Sequence, residues 1–367
     1  MIVLDSGAGN YIQIRDRKYS YFAGNNYLGL AGHPLVKEAS VRAIHQFGVS
    51  FSASRQTTGT AAIHLELERQ LSAFKHVEDS VVFASGYLGN RILLHVLKDE
   101  YSAVFADESA HASIFDGIPS GVRVWKYDHL KIFHLESLLN KNKKFRPLII
   151  TDGLFSLTGE IAPLDRIIPL AQKYGASVVV DDAHATGILG DHGRGTPEHF
   201  HLENAGNVYQ SETLSKAFGV YGGFIGGHRE LTLSIRRRSV AYQASTALPP
   251  PVVSAAIAAL GVLEKNPGMR SRLLYKAWGI RTGVSALGFR TTADNTPIIP
   301  LMFRSAEKAR DLSVFLEENS YVVPFIQYPA RTPMFLVRIT ACIDHTEEQT
   351  GGLLELLKKW RDKNGTK

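Results

Sequence analysis

Lys216 lies in Ser211-Glu212-Thr213-Leu214-Ser215-Lys216-Ala217-Phe218-Gly219, ahead of the glycine run Tyr221-Gly222-Gly223. An amine flanked by small and hydroxyl residues is oddly placed for a solvating charge. Burial lowers a lysine's pKa and frees its amine for Schiff-base chemistry. A second unusual group is Asp181-Asp182-Ala183-His184, which ends the apolar run 177–180. Two carboxylates ending a buried strand are costly unless each meets a cation, a metal or hydrogen-bond donors. Magnesium or zinc is one reading, with His192, His199 and His201 as further ligands. The spacing matches no helical zinc pair, and those histidines share a glycine-rich loop with Pro197, so no metal is expected.

Three more segments carry chemistry-bearing side chains. Ser85-Gly86-Tyr87-Leu88-Gly89-Asn90 is a small-residue turn opening a helix, and it reads either as an ordinary cap or as a phosphate seat on unpaired N–H groups. His111, in Asp107-Glu108-Ser109-Ala110-His111, is either a capping or core histidine or a planar group set against a flat ligand. Asp152-Gly153-Leu154-Phe155-Ser156 puts a hydroxyl at a strand end. Neither a Walker loop nor a dinucleotide fingerprint is present, which argues against ATP and NAD. A phosphate turn, a flat-ring partner, a buried carboxylate and a Schiff-base lysine together describe a pyridoxal phosphate site: the carboxylate keeps the pyridine nitrogen protonated and the lysine carries the aldehyde.

These residues need a scaffold, and the chain between Val81 and Gly227 supplies α/β grammar. Short β-branched runs at 81–84, 103–106, 122–125, 148–151, 177–180, 208–209 and 223–226 alternate with amphipathic stretches. Nearly unbroken apolar runs suit strands covered on both faces in a mostly parallel sheet, whose ligands bind beyond the carboxyl ends. Pro249-Pro250-Pro251 then breaks the chain, and 252–264 reads as an Ala-rich linking helix. Helices at 269–287, 306–318 and 347–362 alternate with strand-like 297–301, 321–323 and 335–339, a smaller α+β domain. The expected organisation is an N-terminal segment 1–30, a large cofactor-binding domain 31–247, and a linker helix with a small C-terminal domain 248–367.

Composition narrows the class. The 367 residues suffice for about two domains, and 44% apolar with 21% charged residues excludes a disordered chain. The single cysteine, Cys342, excludes an internal disulfide or thiolate cluster and points to a reducing compartment. No apolar stretch approaches the ~20 residues of a membrane span, and no secretory signal opens the chain. A cytoplasmic protein without stable membrane insertion is therefore expected. The formal charge of +6 includes the clusters Lys141-Asn142-Lys143-Lys144 and Arg236-Arg237-Arg238, which read as solvated faces or anion-docking points. No basic arm or RNA-binding signature accompanies them, so nucleic acid is not an expected partner.

Along nearly its whole length the chain resembles the α-oxoamine synthase family of fold-type I pyridoxal phosphate enzymes. The resemblance rests on Asn25-Asn26-Tyr27-Leu28-Gly29-Leu30, Ser54-Arg55, Thr58-Gly59-Thr60, Ser85-Gly86-Tyr87, His111-Ala112-Ser113, Phe155-Ser156, Asp181-Asp182-Ala183-His184, Thr213-Leu214-Ser215-Lys216, Ser245-Thr246-Ala247-Leu248-Pro249-Pro250 and Arg338. It implies an α/β fold-type I transferase and decarboxylative condensation of an amino acid with an acyl thioester, on CoA or a carrier protein. Lys216 would carry the cofactor and act as general base, Asp181 would pair with the pyridine nitrogen, and His111 would stack on the ring. His184 and Ser156 would lie near the ring hydroxyl. Ser85, Gly86, Tyr87 and Thr213 would hold the phosphate, Ser245 and Thr246 would reach the cofactor of a homodimer partner, and Arg338 with Asn25 would bind the amino acid. Ser50 and Ala53 stand where the family commonly has glycine, which bears on the thioester channel. An aminotransferase of the same fold would use the same lysine, aspartate and arginine.

Overall fold

The computed structural model describes residues 2–326 and 334–365. The chain divides into a smaller unit, Met1–His33, Ser156–Glu160 and Asn266–Lys367, and a larger one, Pro34–Phe155 and Ile161–Lys265. The smaller unit opens with an antiparallel hairpin of β1 (Tyr11–Ile14) and β2 (Arg17–Tyr21).

In the larger unit α1 (Pro34–Phe47) and α2 (Ala62–Lys75) precede the sheet. There follow β3 (Asp79–Phe83), α3 (Tyr87–Val96), β4 (Ala103–Asp107), α4 (Ala112–Gly117), β5 (Arg123–Tyr127), α5 (Ile132–Lys141), β6 (Pro147–Asp152), α6 (Leu164–Tyr174), β7 (Ser177–Asp181), α7 (Thr196–His199), β8 (Val208–Thr213), β9 (Gly223–Gly227), α8 (Arg229–Arg238), α9 (Val240–Gln243) and α10 (Pro250–Lys265). The sheet runs β3-β9-β8-β7-β6-β4-β5. Neighbours pair in parallel from β8 through β5, and β9 runs antiparallel to both β8 and β3.

The apolar runs form strands because both faces are covered. Val104, Ala106, Leu148, Ile150 and Val179 enter one core with Ile92 and Leu93 of α3, while Ala103, Phe105, Ile149, Val178 and Val180 enter another with Leu135, Leu139 and Ile167 of α5 and α6. Successive residues of one strand thus feed opposite cores, each fully buried Val, Leu or Ile contributing about 1.5–3 kcal/mol. The edge strand β5 exposes Arg123 and Lys126, charges that discourage edge-to-edge pairing. Pro250 and Pro251 occupy the first turn of α10, where a missing N–H costs no helical bond, and α10 packs on α1 and α2.

The basic run on α8 is largely structural. Arg236 reaches Asp79 at 2.5 Å and the carbonyl of Ser80 at 2.9 Å, and Arg238 pairs with Asp99. Arg237, the remaining residue of the run, is exposed.

The smaller unit continues with α11 (Gly268–Ala286), β10 (Ile298–Phe303), α12 (Ala306–Glu318), β11 (Tyr321–Val322), β12 (Phe325–Ile326), β13 (Phe335–Thr340) and α13 (Glu347–Asn364). β13 lies between β10 and β12, antiparallel to both, and β11 adds in parallel to β2 of the hairpin. Its core includes the buried Trp360, stacked on Phe289 and edge-on to Phe303, with its indole N–H donating to Asp311 at 2.6 Å. Among the described residues, no helix is long and apolar enough to cross a membrane.

Candidate active site

The carboxyl ends of the larger sheet gather the ionisable side chains. Asp152 ends β6 and Asp181 ends β7, and the two are register partners across the parallel pair. Both are buried. Asp181 accepts from Asn90 Nδ2 at 2.6 Å on one oxygen and from the backbone N–H of Ala183 at 3.2 Å on the other. Asp152 accepts the backbone N–H of His111 at 2.9 Å, and burial together with the Asp181 carboxylate pushes its pKa well above the ordinary range.

Hydrogen-bond donors surround the second member of the acidic pair. Asp182 accepts from the N–H of Thr196 at 2.9 Å, its hydroxyl at 2.6 Å and Gln210 Nε2 at 2.9 Å. A Cβ on Gly195, whose φ is 105°, would overlap this carboxylate, so glycine is required there. Of the histidines downstream, His192 pairs with Glu198 at 2.7 Å.

His111 is the N-cap of α4, and its half-buried ring faces Ser113, with Nδ1 2.7 Å from the serine hydroxyl. Burial pushes its pKa down; the Asp181 charge opposes that shift and the Lys216 charge reinforces it. The Lys216 charge also acts on Asp152. His111, Asp152, Asp181 and Lys216 therefore form one electrostatic group. Lys216 sits in the tight loop 214–222, closed by bonds from Gly219 N to its carbonyl at 3.0 Å and from Leu214 N to Gly222 O at 2.9 Å. It is half-buried, while Leu214, Ala217 and Phe218 beside it are fully buried, so the loop is anchored by its apolar neighbours.

The phosphate-turn residues meet β8. A Cβ on Gly86 would come within 2.6 Å of Thr213 Oγ1, so only glycine lets the start of α3 approach that strand end. Thr213 Oγ1 lies 2.7 Å from Ser215 Oγ and donates to Gly222 O at 3.0 Å. Ser85 Oγ accepts from Tyr87 N at 3.3 Å, and the exposed Tyr87 ring sits edge-on to His111 with centroids 6.1 Å apart. This turn thus opens a ten-residue helix whose dipole favours an anion.

The other residues named from the sequence sit on further segments. His184 is buried in the loop after β7. Ser245 donates to Ala241 O at 2.6 Å, and the exposed Thr246 bridges Ser54, so this segment joins the loop that holds Ser50 and Ala53. Ser156, Asn25 and Arg338 belong to the smaller unit. There the buried Arg338 donates through Nη2 to Asn25 Oδ1 at 2.9 Å, and its Nε is buried with no partner among the described residues. Tyr27 also hydrogen-bonds Arg338, while burial raises the phenol to about 12.

Sequence reasoning passed over Asn90, Ser113 and Asp152 as site residues. Each looks unremarkable in the chain, and only pairing across strand ends exposes its role.

The larger unit's residues fit pyridoxal phosphate: a buried carboxylate for a protonated ring nitrogen, an imidazole within electrostatic reach of it, an amine within electrostatic reach of that imidazole, and a helix start backed by Thr213 for the phosphate. Fold and site together define a fold-type I pyridoxal phosphate enzyme, with pyridoxal phosphate as its cofactor. The family model for aminotransferase class I and II matches residues 18–357. The 8-amino-7-oxononanoate synthase of Thermoanaerobacter pseudethanolicus is 38% identical over 364 residues, 98% of this chain and 92% of that relative. Among solved structures, a serine palmitoyltransferase from S. paucimobilis with a bound PLP-myriocin aldimine superposes with a TM-score of 0.95 at 29% identity, covering 100% of this chain and 94% of that one. An 8-amino-7-oxononanoate synthase from Francisella tularensis gives a TM-score of 0.81 at 26% identity, covering 94% and 98%. The chain belongs to the aminotransferase class I and II family and, within it, to the α-oxoamine synthases, which are pyridoxal phosphate-dependent acyltransferases.

Proposed function

We propose that this protein condenses an amino acid with an acyl thioester, releasing the thiol and carbon dioxide and leaving an α-amino ketone, as an 8-amino-7-oxononanoate synthase. The observation that carries this reading is the near full-length similarity to that synthase at 38% identity, joined to the Asp181, His111 and Lys216 group. The bound cofactor supplies an electron sink for the carbanion at the amino acid's α-carbon. Lys216 anchors the cofactor, then removes the α-proton through Nζ and returns a proton at the end. Asp181 holds positive charge at the ring nitrogen, His111 covers the ring, and His184 and Ser156 attend its hydroxyl. The turn at Ser85, Gly86 and Tyr87 with Thr213 takes the phosphate. Arg338 and Asn25 bind the substrate carboxylate, a role supported by the unpartnered Nε of Arg338.

The same reading makes the protein a cytoplasmic homodimer in which Ser245 and Thr246 reach the partner's cofactor. Exposed apolar side chains support it: Val41 and Ile44 a turn apart on α1, Val49 beyond it, and Leu65 on α2. A second reading, a serine palmitoyltransferase-like synthase, is favoured by the TM-score of 0.95 against 0.81.

One assay separates these. By carbon count, decarboxylative condensation reaches 8-amino-7-oxononanoate from alanine and a heptanedioyl thioester. Thiol and carbon dioxide released from that pair, as CoA or carrier-protein thioester, support the first reading; release only from serine with a long-chain thioester supports the second. Stoichiometric keto acid without thiol would mean aminotransfer and would overturn both.

A further inference from the structure

A chain of hydrogen bonds joins the carboxylate and the histidine assigned to the cofactor. Asn90 is fully buried on α3 and donates through Nδ2 to Asp181 Oδ2 at 2.6 Å and to Ser113 Oγ at 2.8 Å. An ionised carboxylate only accepts, so the amide nitrogen must face Asp181, and its second hydrogen is committed to Ser113. Ser113 Oγ, having accepted, has its own hydrogen for His111 Nδ1 at 2.7 Å. The backbone N–H of Ser113 points to the same nitrogen at 3.3 Å, and a backbone N–H can only donate. His111 Nδ1 is therefore an acceptor, and the neutral ring carries its proton on Nε2.

We propose that Asn90 and Ser113 are positioning residues that tie Asp181 to His111, fixing the carboxylate and holding His111 as the neutral Nε2–H tautomer. The proposal rests on the assignment of Asp181 and His111 to the cofactor. With Ala183 N on one oxygen and Asn90 on the other, Asp181 keeps one orientation at the ring-nitrogen position. A protonated His111 would present an N–H at Nδ1 to the Ser113 N–H and lose that bond. The relay thus keeps imidazolium from forming beside Asp181 and leaves the full carboxylate charge for the ring nitrogen. Burial and the Lys216 charge, which push His111 down, act in the same direction.

The test is a long-range proton–nitrogen NMR spectrum of the cofactor-loaded enzyme labelled with nitrogen-15 histidine, with His111 assigned through His111→Gln. The wild type should show the proton on Nε2 alone. Ser113→Ala removes the hydroxyl and leaves only the longer backbone N–H contact at Nδ1, so a measurable Nδ1–H population should appear beside the Nε2–H form, and Ser113→Thr should restore the wild-type pattern. Asn90→Leu should weaken the cofactor dissociation constant by about tenfold or more, as loss of a bond to a charged group does. A wild-type signal from Nδ1–H or imidazolium would overturn the proposal, as would an unchanged tautomer in Ser113→Ala. An Asp181→Asn protein that binds the cofactor as tightly as wild type, with the tautomer intact, would instead sink the cofactor assignment.

Discussion

Acid should loosen the smaller unit through one histidine. His345 is 2% exposed, stacks on Phe22 at 3.8 Å, accepts from Cys342 N through Nδ1 at 3.0 Å and donates through Nε2 to Tyr21 O at 2.9 Å. Burial pushes its pKa from 6.5 to about 4. The unfolded chain therefore binds the proton first, so stability is full above pH 6.5 and is lost as pH falls from 6.5 towards 4. A shift of that size corresponds to about 3 kcal/mol, of which most is spent by pH 4.5. The loss bears on the proposed function because the same turn grips the segment next to Asn25, proposed to bind substrate: Ile343 N donates to Tyr27 O at 2.9 Å and Cys342 Sγ to Asn26 O at 3.2 Å. Trp278 and Trp360 lie in the smaller unit and Trp125 in the larger, so a Trp125→Phe background makes tryptophan fluorescence a reporter of the smaller unit. Urea titrations from pH 7.5 to 4.5 should show a drop in that unit's stability at least 2 kcal/mol larger with His345 present than in His345→Gln. Parallel pH profiles for the two proteins would refute the reasoning.

Lys216→Ala should lose turnover and the visible absorption of bound cofactor together, read by spectrophotometry on the dialysed protein. Arg338→Lys keeps the charge but not the planar fork, and steady-state kinetics should show KM for the amino acid rising about tenfold or more with little change in kcat. Glu68 forms a buried ion pair with Arg55 at 3.0 Å, and Glu68→Gln should cost about 3–5 kcal/mol of larger-unit stability by denaturant titration. Asp152→Asn should be more stable than wild type at pH 8, because the raised carboxyl makes folding take up a proton and lose stability as pH rises; its advantage should shrink on acidification towards pH 4, and a pH-independent difference would contradict that origin.

Much of the larger unit is legible in the chain because its strands are buried on both faces. The run 177–180 becomes Ser177–Asp181, and 103–106 becomes Ala103–Asp107. β8 is longer than the apolar pair 208–209 suggests, since it continues through Gln210-Ser211-Glu212-Thr213. Glu212 is tolerated there because it pairs with Lys75 and accepts from Thr186 at 3.1 Å, although burial still raises it to about 7. No local pattern announces such a strand. The hairpin β1–β2 was equally hidden: Arg17-Lys18-Tyr19-Ser20-Tyr21 has no apolar alternation, and the strand is held by β1 and by β11 some three hundred residues on. The site divides in the same way. Lys216, Asp181 and His111 stand out as costly residue types at strand ends, whereas Asn90 and Ser113 matter only through what they touch.

The position of Lys216 sets how its removal must be interpreted. Asp152 and Asp181 face each other across β6 and β7, and burying two carboxylates side by side is unfavourable unless donors and a cation offset it. Asn90, Ala183 N and His111 N supply the donors, and Lys216 supplies a positive charge that reaches Asp152 and His111. Lys216→Ala therefore removes a cation from an acidic pair as well as the amine proposed to react, and the protein should become less stable than its loss of side-chain contacts explains. Pairing Lys216→Ala with Lys216→Arg separates the two effects. Arginine keeps the charge without an amine that can react, so a melting temperature restored by Arg while turnover stays absent assigns stability to the charge and catalysis to the nitrogen. If Arg failed to recover stability, the electrostatic link between Lys216 and the carboxylates would have to be abandoned.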